Sequence, residues 1–386
     1  MNALGAVPEG VLVAVRDQLA RGGGDLTPER VARALREEGR PVGDATVLAV
    51  HDALRRDVEG AGPLEPLLTL SGVTDVLVNG PGQVWIDRGE GLELTGLSFP
   101  DDDAVRRLAQ RLAAVGGRRL DDSSPYVDLR LADGTRFHAV LAPIARPGTV
   151  LSLRVPRRRV FDLDDLEAAG ALSKEGARLL GRIVAHRLAF LVSGGTGSGK
   201  TTLLNALLTR CDPDERLVLV EDSSELRPAH AHVVALEARP PNIEGSGEVA
   251  LRALVRQALR MRPDRLVVGE VRGAEVVDLL AAMNTGHEGG CGTLHANSAA
   301  DVPNRVASLA MAAGLPREAA LSQLASAVDL VVHLHRPRGG ARRVREVGVL
   351  DRHGAEVSVV PAITFDSALE AHSGPGFDRL EELLAR

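Results

Sequence analysis

The spacing of apolar positions divides this chain into three stretches. Over residues 1–58 it is helical. In "DATVLAVHDALRRDVEG", Val47, Val50, Leu54 and Val58 fall on one face, between a start at Asp44 and a stop at Gly60. Ahead of it, "TPERVARALREEG" sets Thr27 as N-cap, Pro28 at the first helical position and Glu29 near the positive end of the helix dipole, with Gly39 as the stop. These helices are amphipathic and need a surface to pack on.

Over 59–156 the signals become those of strands and turns. "TDVLVNGPGQVWIDRGEGLELTG" reads as a hairpin with Asn-Gly-Pro-Gly between two β-rich runs and another turn at Gly89 to Gly91. The run "DDDAVRRLAQRLAAVGG" predicts a helix, and "YVDLRLADGTRFHAVLAPIA" and "GTVLSLRVP" predict further strands, the first turning at Asp133-Gly134. This is an α+β domain. The basic run Arg157 to Arg159 opens a stretch, 157–174, that reads as a linker.

Over 175–386 short apolar runs alternate with helical segments, the mark of a parallel sheet wound by crossovers. Its candidate strands are "LAFLVS", "RLVLVED", "HVVAL", "RLVVGE", "CGTLHA" and "DLVVHLH", and "RRVREVGVLDRHGAEVSVVPAITF" reads as a final strand pair. The tail after Pro361 shows no motif, and no internal repeat is present.

Composition narrows the picture only modestly. At 386 residues, with 44% hydrophobic and 25% charged residues, the chain suits a soluble protein of two or three units. Aromatics make up 2%, which disfavours base stacking as a binding device. The net charge of −6 exerts no global pull on nucleic acid or anionic lipid. The only cysteines, Cys211 and Cys291, fit a reducing compartment. Neither a signal peptide nor an apolar run of spanning length is read, so the expectation is a cytoplasmic protein.

The chemistry concentrates in the third stretch. "FLVSGGTGSGKTTLLNALL" is an apolar strand, a glycine loop and a helix, and Gly194, Gly199, Lys200 and Thr201 complete G-x4-G-K-[ST]. Glycines let the loop wrap tightly enough for its amides to face phosphate oxygens. Gly194, Gly195, Thr196, Gly197, Ser198, Gly199, Lys200, Thr201 and Thr202 are therefore expected to bind ATP. Lys200 would reach the β- and γ-phosphates, and Thr201 would ligate Mg2+ at the helix N-terminus. Two apolar strands end in acids: "RLVLVEDSSEL" on Glu221 and Asp222, with Glu225 following, and "RLVVGEVRGAE" on Glu270. Carboxyl ends of parallel strands form the ligand crevice, so these acids are expected to face the phosphates. Glu221 is assigned to the attacking water and Glu270 to the metal shell, although sequence does not decide between them.

"TGHEGGCGTLHANS" gathers His287, Glu288, Cys291 and His295, which first suggests a metal site. A second ligand pair at zinc-like spacing is missing, because Cys211 is remote in sequence. Cys291 reads as a small buried hydrophobe.

With these motifs in order, the chain resembles the type II/type IV secretion ATPases, and within them the tight-adherence (Flp) pilus-assembly branch. "GGTGSGKTT" corresponds to the Walker A motif, "LVEDSSEL" to the Asp box, "VVGEVRGAE" to Walker B and "TGHEGGCGTLHANS" to the His box, while "GAGPLEPLLTLSGVTDVLVNGPGQVWI" is similar to the opening of the family's N-terminal domain. The resemblance implies a RecA-like P-loop ATPase domain with a parallel-rich sheet, behind an α+β N-terminal domain and a short helical region. It implies a hexameric ring at the inner face of the cytoplasmic membrane, a platform protein as partner, and work on pilin or secreted protein. By the same resemblance, His287 and His295 sense the nucleotide state, and Arg136 and Arg154, with Arg130 as a third candidate, complete the site. Conjugal DNA transfer and a non-motor nucleotide switch stay open as alternatives, with nucleic acid disfavoured but not excluded. In "EVALRALVRQALRMRPDR", Arg252, Arg256 and Arg260 form a stripe that is either a solvated face or an intersubunit contact. On the contact reading, a glutamate at 256 would spare the fold and weaken the ring.

Overall fold

The computed structural model describes residues 11, 14, 15, 18, 27–37, 39, 43–58, 60–89, 91–156, 160–241, 246–286, 288–337 and 340–386. The chain forms two compact units, Met1–Arg157 and Arg158–Arg386.

The first unit is built on an antiparallel sheet. Its strands are β1 (Asp75–Asn79), β2 (Val84–Asp87), β3 (Leu92–Leu94), β4 (Tyr126–Arg130), β5 (Arg136–Val140) and β6 (Val150–Arg154), in the order β3-β2-β1-β6-β5-β4. Buried and open positions alternate along β5 and β6, as expected for a sheet with one covered face. The cover is the helix Asp102–Val115, whose first turn is capped by the Asp101 carboxylate accepting from the Ala104 amide at 2.7 Å. Val105, Leu108 and Leu112 pack with Val76, Phe137, Leu151 and Leu153 in one core. Each such side chain contributes roughly 1.5–3 kcal/mol through burial. The earlier helices, Pro28–Glu37 and Asp44–Val58, close a small core of their own from Val31, Leu35, Val47, Val50 and Leu54. The Val58 side chain lies outside the described residues.

In the second unit, β7 (Phe190–Gly194), β8 (Leu217–Glu221), β9 (Val233–Glu237), β10 (Arg265–Val271), β11 (Cys291–His295), β12 (Leu330–His335), β13 (Arg343–His353), β14 (Glu356–Phe365) and β15 (Ala371–Ser373) form one sheet, ordered β15-β14-β13-β12-β7-β11-β10-β8-β9. From β12 to β9 every pairing is parallel, and β13 to β15 add an antiparallel edge. Successive residues serve opposite faces: Phe190, Val192, Leu217 and Val267 enter one core, while Leu191, Val218, Leu266 and Val268 enter the other. The helices Lys174–Ala185, Lys200–Leu208 and Phe377–Leu383 cover the first face, and Leu251–Ala258, Glu275–Met283, Val302–Ala312 and Arg317–Ala327 the second. Strands apolar on both sides demand two covering layers, which gives the doubly wound α/β plan.

Some segments differ from their sequence reading. The linker stretch is folded from Asp162 onward: Asp162 and Asp165 form a reciprocal cap on the helix Leu163–Ala168, and Leu163, Leu166 and Leu172 are buried in the second unit's core. The motif-less tail supplies Leu380, Leu383 and Leu384 to that same core. Arg252 and Arg256 both pair with Asp278 of the adjacent helix, at 2.5 and 2.7 Å. That part of the arginine stripe is thus tied within the chain, because a half-hidden carboxylate on the neighbouring helix lies in its path.

Candidate nucleotide site

The parallel strands all point one way, so their carboxyl ends share one edge of the sheet. That edge carries Gly194, Glu221, Glu270, His295 and His335 from β7, β8, β10, β11 and β12. A crevice at this edge is where an open α/β sheet takes its ligand.

Between β7 and the helix Lys200–Leu208 runs the glycine loop, closely packed where it leaves the strand at Gly194. A Cβ on Gly194 would lie 2.6 Å from both the Leu334 carbonyl oxygen and Ser198 Oγ. Gly199 caps the helix in the left-handed region, at φ 97°. Gly195, Thr196 and Gly197 are exposed, whereas Thr201 and Thr202 are half-buried at the helix start. Ser198 is 2% exposed, and its Oγ has no hydrogen-bond partner among the described residues. A buried hydroxyl without a partner in a glycine loop can donate to an anion.

Lys200 is buried. Its Nζ donates to the carbonyls of Gly194 and Gly195, each at 3.1 Å, and lies 3.4 Å from both ring nitrogens of His295. His295 Nε2 stands 2.7 Å from Glu270 Oε1, and Arg272 Nη2 donates to Glu270 Oε2 at 2.5 Å. Lys200, His295, Glu270 and Arg272 thus form one continuous chain of charge beside the loop. Desolvation lowers the pKa of Lys200, against the pull of Glu270. Desolvation and then the Lys200 charge lower that of His295. For Glu270 burial pushes upward, but the Arg272 hydrogen bond and charge, with His295 and Lys200, carry it below the ordinary glutamate range.

Glu221, expected to act on the attacking water, closes β8 as a buried residue. It is 3% exposed, and its Oε1 accepts from the Glu225 and Leu226 amides, each at 3.0 Å. Its Cγ lies 2.6 Å from where a Cβ on Gly269 would stand. Glu221 is therefore wedged beside β10 and ties its own loop, and burial pushes its carboxyl up to about 7. Exposed Glu225, on that loop, acts electrostatically on Lys200 together with Glu270.

His287 lies outside the described residues. Nearby Gly289 packs against Arg265 and Arg187 at the amino ends of the strands, the edge opposite His295. At that edge Glu215 and Arg265 form a buried ion pair, at 2.5 Å, beside a cavity of about 510 Å³ lined by Arg187, Arg210, Asp212 and Asp264. Despite its volume this cavity is remote from the phosphate loop, and the loop's geometry is the better guide to a ligand. Cys291 is buried at the start of β11. Arg136 and Arg154 belong to the first unit, where they are neighbours on β5 and β6 and bond Asp128 and Asp75 at 3.0 and 3.1 Å. Arg130 continues the row on β4.

Three residues at this edge escaped the sequence reading. Arg272 was visible, two positions after Glu270 in "GEVRG". Arg342 Nε donates to the Gly197 carbonyl at 2.8 Å, and buried His333 Nδ1 lies 2.9 Å from Ser193 Oγ. Only the pairing of β12 with β7 brings these last two to the loop, and no local spacing announces it.

Comparison with known proteins agrees with this geometry. The profile of the family described as Type II/IV secretion system protein matches residues 57–358. A Mycobacterium tuberculosis protein named as a candidate conjugal transfer protein is 56% identical over 325 residues, covering 83% of this chain and 92% of its own. The type IV secretion system protein PtlH of Bordetella pertussis is 34% identical over 319 residues, covering 75% and 94%. The solved structure of the ATPase DotB of Yersinia pseudotuberculosis superposes with a TM-score of 0.54 at 18% identity, covering 78% of this chain and 79% of its own, a likeness of fold. Among the described residues, no helix is long and apolar enough to cross a membrane. The chain belongs to the type II/IV secretion system protein family, with a RecA-like P-loop unit as its second half.

Proposed function

We propose that this protein hydrolyses ATP to drive a secretion or pilus-assembly machine, as a hexameric ring on the cytoplasmic face of the membrane, against a membrane platform protein. The observation that carries the reading is the Lys200–His295–Glu270–Arg272 chain beside a glycine loop whose Ser198 hydroxyl lacks a partner among the described residues. The loop amides and Lys200 hold the triphosphate. Glu270 orients water for attack on the γ-phosphorus. The bond to the bridging oxygen then breaks and ADP leaves with those electrons. Glu221 acts at one remove, by fixing the loop that bears Glu225. His295 reports the phosphate state through Glu270.

Mg2+ suits the donors present, because Thr201 and Glu270 offer the hard oxygen ligands it prefers. When bound it would neutralise phosphate charge. Arg154, Arg136 and Arg130 stand side by side on adjacent strands, with Arg136 and Arg154 also bonded to Asp128 and Asp75, and together they present a row of guanidinium groups. In a ring, that row completes a neighbour's site.

The name of the Mycobacterium tuberculosis relative favours a second reading, conjugal transfer of DNA. Phosphate release and oligomeric mass, measured with and without ATP for the wild type, Lys200→Ala and Glu270→Gln, test the main reading. Both variants should lose turnover, and full activity in Lys200→Ala would refute it. Stimulation of turnover by DNA would select the conjugal reading.

A further inference from the structure

The phosphate loop has a second flank. β12 runs parallel to β7 on the side away from β11, with Leu334 in register with Gly194. The connection from β12 to β13 therefore arrives at the loop from the side opposite His295. It is packed there closely: Arg342 Nε donates to the Gly197 carbonyl at 2.8 Å, and Arg342 Cδ lies 3.3 Å from where a Cβ on Gly199 would stand.

Arg336 enters the same space. Its Nη1 is 3.7 Å from the Cβ position of Gly197, which the loop holds at φ 69°. The side chain is exposed, and it makes no hydrogen bond or ion pair with any other described residue. Lys200 spends its charge on loop carbonyls and the His295–Glu270 pair, while the Arg336 guanidinium keeps its donors unspent. Between the two flanks lies the Ser198 hydroxyl, which has no partner among the described residues.

We propose that Arg336 is a nucleotide-binding residue, seated against the loop by the neighbouring Arg342 contact, and that it engages the α- and β-phosphates of a nucleoside di- or triphosphate. The inference rests on the nucleotide reading above and adds a ligand that no G-x4-G-K-[ST] motif contains. The assignment to the α- and β-phosphates follows from position. The loop backbone cradles those groups, whereas the lysine side reaches toward the terminal phosphate. A guanidinium also matches two phosphate oxygens at once, which an ammonium does not. Arg336 should therefore strengthen ADP and ATP binding equally and leave the choice between them to Glu270 and His295.

Equilibrium binding of ADP and of a non-hydrolysable ATP analogue to the full chain tests this in wild type, Arg336→Ala, Arg336→Lys and Lys200→Ala. Loss of one charge-assisted contact should weaken both ligands roughly tenfold in Arg336→Ala. Arg336→Lys should recover part of the loss, and the salt dependence of binding should flatten in the alanine variant. Melting without nucleotide should be unchanged, since the side chain is exposed. If Lys200→Ala weakens binding while Arg336→Ala stays within twofold of wild type for both ligands, this inference falls and the nucleotide reading stands. A loss confined to the ATP analogue also overturns it. Failure of the wild type to bind either ligand would sink the nucleotide reading itself.

Discussion

Replacing Glu221 by glutamine should make the second unit more stable relative to wild type as pH rises. In the native state burial lifts the carboxyl from its ordinary 4.5 to about 7. Between those values the unfolded chain has released its proton while the folded chain retains it, so stability falls with increasing pH. Above about 7 the folded chain must hold a buried carboxylate. Only Oε1 is bonded there, by the Glu225 and Leu226 amides, and Oε2 has no partner among the described residues. At about 1.4 kcal/mol per pH unit, the gap between the two values amounts to about 3–4 kcal/mol. Glutamine keeps an oxygen for the two amides and carries no charge. Its buried NH2 adds a cost that does not vary with pH, so the difference between variant and wild type isolates the titration. The single tryptophan, Trp85, lies in the first unit and reports on the wrong transition. Urea titrations read by pulsed hydrogen exchange at the β8 and β10 amides, at steps from pH 5 to 8.5, follow the relevant one. The stability difference should grow in favour of Glu221→Gln up to about pH 7 and then level off. A difference that stays flat across this range would show that the carboxyl ionises normally, and the wedged placement of Glu221 would be wrong.

Other substitutions probe the rest of the same edge. Gly269→Ala sets a Cβ 2.6 Å from Glu221 Cγ inside a closely packed part of the sheet, so urea unfolding should show a loss of about 1–3 kcal/mol. In Arg272→Ala, Glu270 loses the partner that most lowers its pKa, and the acidic limb of the hydrolysis rate profile should move to higher pH; an unmoved limb would show that Glu270 does not set it. Arg256→Glu brings a carboxylate beside Asp278 in place of an ion pair. Because Arg256 is 56% exposed, the cost should be about 1 kcal/mol or less at low salt and should shrink in high salt, as denaturation midpoints would show.

What sequence could reveal followed the range of each physical signal. Two-sided apolar runs marked β7, β8, β10 and β12, because burial on both faces leaves a continuous hydrophobic signature. The glycine loop was equally plain, since its backbone tolerates few other residues. The helix Leu163–Ala168 was hidden by charge: "DLDDLEAAG" looks like a solvated connection, although Leu163 and Leu166 are buried. The tail was hidden by brevity, three strand residues and a seven-residue helix being too short for a periodic signal. The pairing of Arg252 and Arg256 with Asp278 was not legible because Asp278 is on another helix, and only packing brings them together.

The two glutamates show the same limit at the level of chemistry. Both close an apolar strand at the same edge of one sheet, so strand position alone gives them equal claims on the phosphates. Their surroundings separate them. Glu221 is on β8, next to β10 and its Gly269, and spends one oxygen on backbone amides. Glu270 is closer to the P-loop strand by one place in the sheet order, with only β11 between, and His295 of that strand joins it to Lys200. A single step in strand order thus separates a carboxyl held near neutrality by burial from one kept ionised by a guanidinium, an imidazole and an ammonium. On the proposed function, it is the contact from Lys200 through His295 that gives the water-orienting task to Glu270, while Glu221, whose Oε1 accepts from the Glu225 and Leu226 amides, shapes the loop.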